Sequence, residues 1–113
     1  MDPKGVDAWW LVSDAIDFRC GIDRLLVQVR EVLGRDPLDG SAYVFRNRHT
    51  TRIKVLVVDA HGVWLSARRL HHGRFIWASG ERLWSLSRAQ FRWLCAGVDW
   101  HRLSARLPLE KIV

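Results

Sequence analysis

The 113-residue sequence holds only two cysteines, three prolines, one tyrosine and one methionine. Cys20 and Cys95 lie far apart and outside any CxxC pair, so a disulfide framework or a zinc knuckle has no basis; both read as small buried hydrophobes. No apolar run approaches the ~20 residues that cross a bilayer. The opening residues, Met1 to Asp7, lack the basic and long apolar regions of a secretory signal. The expectation is a cytoplasmic protein without membrane contact. HExxH, GxSxG, a phosphate-cradling glycine loop and a dinucleotide fingerprint are also missing. Asp14, Asp17, Asp59 and Asp99 can be drawn as a carboxylate metal set, yet capping and turn roles account for most of them. His71 and His72 are adjacent in a turn, which is poor geometry for joint chelation. No catalytic, metal or cofactor-binding residue is expected, and the chain reads as a non-enzyme.

Acidic residues are scarce in one place, and that scarcity is informative. The formal net charge is +6. Between Arg46 and Arg74 stand seven bases (Arg46, Arg48, Arg52, Lys54, Arg68, Arg69 and Arg74) against the single acid Asp59, while the rest of the chain has eleven of each sign. The whole excess therefore lies in one segment, which also holds four of the five histidines. A located excess of this kind invites a polyanion.

The length and the globular composition, 49% hydrophobic and 27% charged, predict a single domain over 1–113 with its core at about 8–100 and less ordered ends at 1–7 and 101–113. Ala8 to Val12 reads as a first strand. Ile22, Leu25, Leu26, Val29, Val32 and Leu33 fall on one face of a helix over 18–33, with Asp17 as its N-cap and Gly34 and Pro37 ending it. Four further strands are expected at 42–46, 52–59, 63–70 and 74–77; their short connections can join only antiparallel neighbours. Leu83 to Leu86 is a last strand or an extended approach to a second helix. That helix has a capping box, Ser87 with Gln90, and a hydrophobic staple, Leu86 with Phe91. The expected fold is α+β: an antiparallel β meander packed against one long amphipathic helix and one shorter C-terminal helix. Its core is expected to include Leu11, Ile22, Leu25, Leu26, Val29, Leu33, Val55, Val57, Leu65, Phe75, Phe91 and Leu94.

Many short pieces in order, among them Asp17-Phe-Arg-Cys-Gly-Ile-Asp-Arg-Leu25, Leu33-Gly-Arg-Asp-Pro-Leu-Asp-Gly40, Val44-Phe-Arg-Asn-Arg48, Asp59-Ala-His-Gly62 and Gly73-Arg-Phe-Ile-Trp77, resemble the TnpB-type accessory proteins encoded by the second open reading frame of insertion sequence 66 family elements. The chain departs from that pattern at Cys20, where a basic residue is usual, and at Ala78, where proline is common. The resemblance implies a bacterial auxiliary factor for transposition, acting beside a separate transposase that carries the catalytic carboxylates.

Two readings of the basic segment stand side by side. Clustered Arg and Lys neutralise phosphates without needing a particular sequence. On this reading Arg46, Arg48, Arg52, Lys54, Arg68, Arg69 and Arg74 bind DNA, with Asn47 and Arg48 at a hairpin tip able to read base edges in a major groove. Alternatively, the same residues solvate an exposed edge and discourage aggregation. Strand alternation puts Arg52 and Lys54 on one face and leaves open whether Arg68 or Arg69 joins them. The seven tryptophans permit a different partner. Exposed Trp beside Arg is interface composition, suiting either another protein, such as the transposase or a second copy of the chain, or stacking with unpaired bases. Trp9 and Trp10 must point to opposite faces of their strand, so both are buried only if helices cover both faces.

Overall fold

The structure is a computed structural model, and it describes residues 5–103. Five strands, β1 (Ala8–Val12), β2 (Ser41–Arg46), β3 (Arg52–Asp59), β4 (Gly62–Arg69) and β5 (Leu83–Leu86), form one sheet in the order β4-β3-β2-β1-β5. Helix α1 (Ile22–Val27) continues into a π-helical turn at Gln28–Val32, and helix α2 (Arg88–Cys95) precedes a 3-10 turn at Trp100–Arg102. Of the less ordered ends expected at 1–7 and 101–113, residues 1–4 and 104–113 lie outside the described residues.

The sheet is mixed, which overturns the expected antiparallel meander. β1 pairs with β2 in parallel, Ala8 to Ser41 through Leu11 to Val44, and with β5 antiparallel. A parallel pair needs a long crossover. Residues 13–40, with α1 inside them, supply one. The hairpin rule holds only for the short connections, so β2–β3 and β3–β4 are antiparallel and β1–β2 is not.

The expected long amphipathic helix over 18–33 is also corrected. Asp17 does not cap it. Its carboxylate accepts from the Arg19 backbone N–H (2.9 Å) and from the Arg19 guanidinium (2.7 Å), and the helix starts later with Gly21 as a cap that gives no side-chain hydrogen bond. Regular α geometry then lasts six residues before the wider π turn, which rotates the following side chains off the original stripe. Leu25 and Val29 are fully buried, but Ile22, expected in the core, is exposed, as are Val27 and Val32. Leu26 and Leu33 are half-buried. Gly34, with φ 65°, ends the segment as a left-handed residue.

The second helix is short, eight residues, and its start is built as the capping box requires: Gln90 N–H donates to Ser87 Oγ (3.0 Å) and Ser87 N–H to Gln90 Oε1 (2.9 Å). Leu86 and Phe91, the staple pair, are both buried. No strand forms at 74–77. Phe75 is buried, and its N–H donates to Thr50 O (2.8 Å), so the segment is committed to the β2–β3 turn rather than to a ladder.

Both faces of the sheet are covered. On one, Trp9, Leu11, Ala42, Val44, Ile53 and Val55 pack against Phe75, Phe91, Leu94 and Trp100. On the other, Val12, Tyr43, Phe45 and Leu56 pack against Leu25 and Val29. Of the remaining expected core residues, Val57 and Leu65 are half-buried. Trp9 stacks on Phe91 at 4.0 Å, and Trp10 lies under the Arg35 guanidinium at 4.4 Å, so both adjacent tryptophans are covered. Indole N–H groups find uneven partners. Trp77 donates to Val12 O (2.9 Å) and Trp100 to Ile76 O (2.8 Å), while those of Trp10 and Trp84 are buried without one.

Candidate nucleic-acid interface

The seven cations do not share a face. Cross-strand register pairs Arg52 with Arg69, Ile53 with Arg68 and Lys54 with Ala67. Alternation then sends Arg52, Lys54 and Arg69 to the α1 side of the sheet and Arg46 and Arg68 to the α2 side. The alternative between Arg68 and Arg69 is thereby settled: Arg69 stands opposite Arg52.

Three of the seven are tied to backbone carbonyls. Arg46 Nε donates to Ser13 O (2.8 Å), and its guanidinium also reaches Thr50 Oγ1 (3.2 Å), pinning the strand end to the turn. Arg68 donates to Cys95 O (2.9 Å), placing a positive charge at the C-terminus of α2, where the helix dipole favours it. Lys54 Nζ donates to Phe18 O (3.0 Å) and lies 4.8 Å from the Phe18 ring centroid. Arg48, Arg52, Arg69 and Arg74 are exposed. The Phe75 hydrogen bond to Thr50 brings the Arg74 backbone beside the turn.

Two concavities meet at this end of the sheet. The first, about 350 Å³, is lined by Phe18, Arg52, Lys54, Ala67 and Arg69 together with Ile53 and Arg68. The second, about 590 Å³, is lined by residues 15–19, Asn47, Arg48, His49 and Arg52. Phe18 and Arg52 line both, so the two form one groove with Arg69 and Lys54 at one end and Arg48 at the other. Arg52 and Arg69 are directly opposed like charges, an arrangement that disfavours folding unless an anion or water screens it. Asp17, the nearby acid, is already engaged: its hydrogen bonds from Arg19 lower its pKa to about 2.

Sequence reasoning did not place Phe18 or Arg19 in the site. Both sit in the stretch between β1 and α1, whose approach to the sheet depends on the crossover, so no local signal in the sequence marked them. Asn47, expected to read bases, is instead used up in the turn. Its Oδ1 accepts from Thr51 N–H (2.9 Å) and Arg52 N–H (3.0 Å), and its Nδ2 donates to Thr51 Oγ1 (3.0 Å).

The acidic residues are dispersed among structural tasks. Asp59 Oδ1 accepts from His61 and Gly62 N–H, and Asp99 caps the 3-10 turn through His101 N–H. Among the described residues no group of three or more His, Cys, Asp or Glu is placed to hold a metal, and no helix is long and apolar enough to cross a membrane. Cys95 is buried and Cys20 half-buried, and no disulfide joins them.

Fold and site together define a small α/β sheet protein with a cationic groove at one end of its sheet. Comparison with known proteins then gives the family: the chain belongs to the IS66 Orf2-like proteins, whose family model matches residues 7–105. Membership points to an accessory role in transposition, in a family not known as catalytic. Two similar proteins come from Sinorhizobium fredii (strain NBRC 101917 / NGR234). The uncharacterized protein y4hO is 41% identical over 92 residues, covering 80% of each chain. The uncharacterized protein y4jC is 31% identical over 102 residues, covering 89% of this chain and 86% of its own. No solved structure matches.

Proposed function

We propose that the protein is a non-catalytic DNA-binding accessory factor of insertion-sequence transposition, and that the groove carrying Arg48, Arg52, Lys54 and Arg69 is where DNA lies. Arg74, beside the turn, extends the positive surface, and Arg46 and Arg68 add charge while holding the scaffold. The observation that carries this reading is the opposed pair Arg52 and Arg69 in a concave surface whose neighbouring acid is already engaged. Such a pair is unfavourable alone and becomes favourable around a phosphate, because bound cations release counterions from the polyanion.

The test is a titration against DNA at several salt concentrations. Replacing Arg48, Arg52 and Arg69 by Ala is expected to weaken binding and to reduce the slope of log affinity against log salt by about 3, roughly 0.9 for each lost phosphate contact. Arg24 and Arg30, exposed on the α1 segment, serve as control positions. Binding that the triple variant leaves unchanged overturns the reading.

A second reading is supported by Trp64, which is 66% exposed on the edge strand β4. An indole this exposed on a strand with one unpaired edge suits a protein partner, either the transposase or a second copy. Co-purification with the element's other proteins separates the two: Trp64→Ser abolishes capture if this surface is the adaptor and leaves DNA affinity unchanged.

A further inference from the structure

We infer that the groove takes unpaired nucleotides, with a base stacked on Phe18, in preference to duplex. This rests on the DNA-binding reading above and names the form of DNA that the groove fits. Three observations converge on it.

The first is that the β2–β3 hairpin is not a free ribbon. β2 and β3 both lie inside the sheet, between β1 and β4, and both sheet faces are covered. The turn itself is docked, with Leu70 N–H donating to Thr51 O (3.2 Å) and Phe75 N–H to Thr50 O (2.8 Å). A ribbon must project from its domain to enter a major groove, and this one is flush with the body.

The second is the engagement of Asn47. Reading adenine takes one amide oxygen and one amide nitrogen presented together. Here the oxygen holds two backbone N–H groups and the nitrogen holds Thr51 Oγ1. What remains in the groove is mostly positive charge and one aromatic ring, chemistry that does not depend on sequence.

The third is the position of that ring. Phe18 is half-buried and lines both concavities, with Lys54 and Arg69 to one side, Arg19 and Arg48 to the other, and Arg52 shared. Its backbone carbonyl accepts from Lys54 Nζ (3.0 Å), which holds this segment against the sheet. The ring packs on the α1-side core and has the same ammonium 4.8 Å from its centroid, a cation beside the platform. A basic track with an aromatic platform along it is how proteins hold single strands, because phosphates follow the cations while an unstacked base finds a π surface. In a duplex the bases already stack on each other and cannot use the ring. Clefts of ~300–1,000 Å³ are of the size that encloses small planar ligands, and both concavities fall in that range.

The experiment is a competition between a labelled single-stranded oligonucleotide and the duplex of the same sequence, run on the full chain and on Phe18→Leu and Phe18→Tyr. Leu keeps the apolar packing without an aromatic face, and Tyr keeps the aromatic face. We expect the single strand to bind more tightly than the duplex and Phe18→Leu to lower single-strand affinity about tenfold, the scale of one stacked base. Phe18→Tyr should restore it, with duplex affinity and the salt slope unchanged in both variants. Preference for duplex, or single-strand affinity indifferent to Phe18→Leu in a folded variant, overturns this inference and leaves the DNA-binding reading standing. Binding to neither form overturns both.

Discussion

At each end of β3 a side-chain oxygen holds a turn by accepting two backbone N–H groups. Asn47 Oδ1 does so for Thr51 and Arg52 before the strand, and Asp59 Oδ1 does so for His61 and Gly62 after it. The device is the same and the electrostatic setting is opposite. Asp59 brings a negative charge to a turn with few charges around it, and the N–H groups of His61 and then Gly62 lower its pKa. Asn47 brings no charge to a turn crowded by Arg46, Arg48 and Arg52. A carboxylate at position 47 has the same acceptor geometry and would offset one of those charges. Its absence means that the positive charge of the groove is not a by-product of turn chemistry, because the fold forms its turn without cancelling the charge.

The largest expected effect comes from removing the amide. Asn47→Ala strands two backbone N–H groups and leaves Thr50 in its left-handed conformation, φ 58°, with less support. Its stability in urea unfolding should fall by about 1–3 kcal/mol. Asn47→Asp keeps the acceptor, so it should unfold within about 0.5 kcal/mol of the parent while binding DNA more weakly. A DNA affinity unaltered in Asn47→Asp would break the contrast between the turns.

Next in size is charge reversal across the ladder. Arg69→Glu replaces two opposed cations by an opposite-charge pair on the same face, which should raise stability by about 0.2–1 kcal/mol and lower DNA affinity together. A variant more stable and less able to bind marks a residue kept for its ligand. Loss of stability would instead mean that Arg69 supports the fold.

The smallest effect is expected in acid. Asp59 and Asp17 both have pKa values below the ordinary 3.8, Asp17 at about 2 because of its Arg19 hydrogen bonds. A depressed carboxylate stabilises the fold above its unfolded pKa, and that contribution is lost as pH falls through the folded one. Stability should therefore decline from about pH 4 towards pH 2. Asp59→Asn and Asp17→Asn should each flatten that limb slightly, lowering stability at neutral pH by the same small amount while leaving it nearly unchanged at about pH 2, as thermal unfolding across the range would register.

Much of this comparison was legible in the sequence, and what was missed has specific causes. The strands at 8–12 and 52–59 stand where β-favouring runs place them, and the Ser87–Gln90 capping box is local chemistry that tertiary packing leaves intact. The parallel β1–β2 pairing was hidden because a connection as long as residues 13–40 permits either direction. The first helix was read too long because Asp17 has two competing uses, and Arg19, two residues on, takes the carboxylate. The cations were identifiable by type and crowding, but their faces depended on register. That register is set by the short Ala60-His61 turn, which puts Asp59 opposite Gly62 and hence Arg52 opposite Arg69. Phe18 escaped notice because its place against Lys54 is a long-range contact that no local pattern encodes.

The place of β1 in the sheet has a consequence for how the chain is made. Formed first at the ribosome, it ends up as an inner strand whose two neighbours come from residues 41–46 and 83–86. Until Leu86 has emerged, one side of β1 has only bare N–H and C=O groups, and Trp9 lacks the Phe91 ring it rests on. The nascent domain therefore cannot close its sheet before most of it has been synthesised. A translation product stopped near residue 80 would display a strand edge of the sequence Ala-Trp-Trp-Leu-Val, an adhesive surface that marks the truncated chain for aggregation or proteolysis.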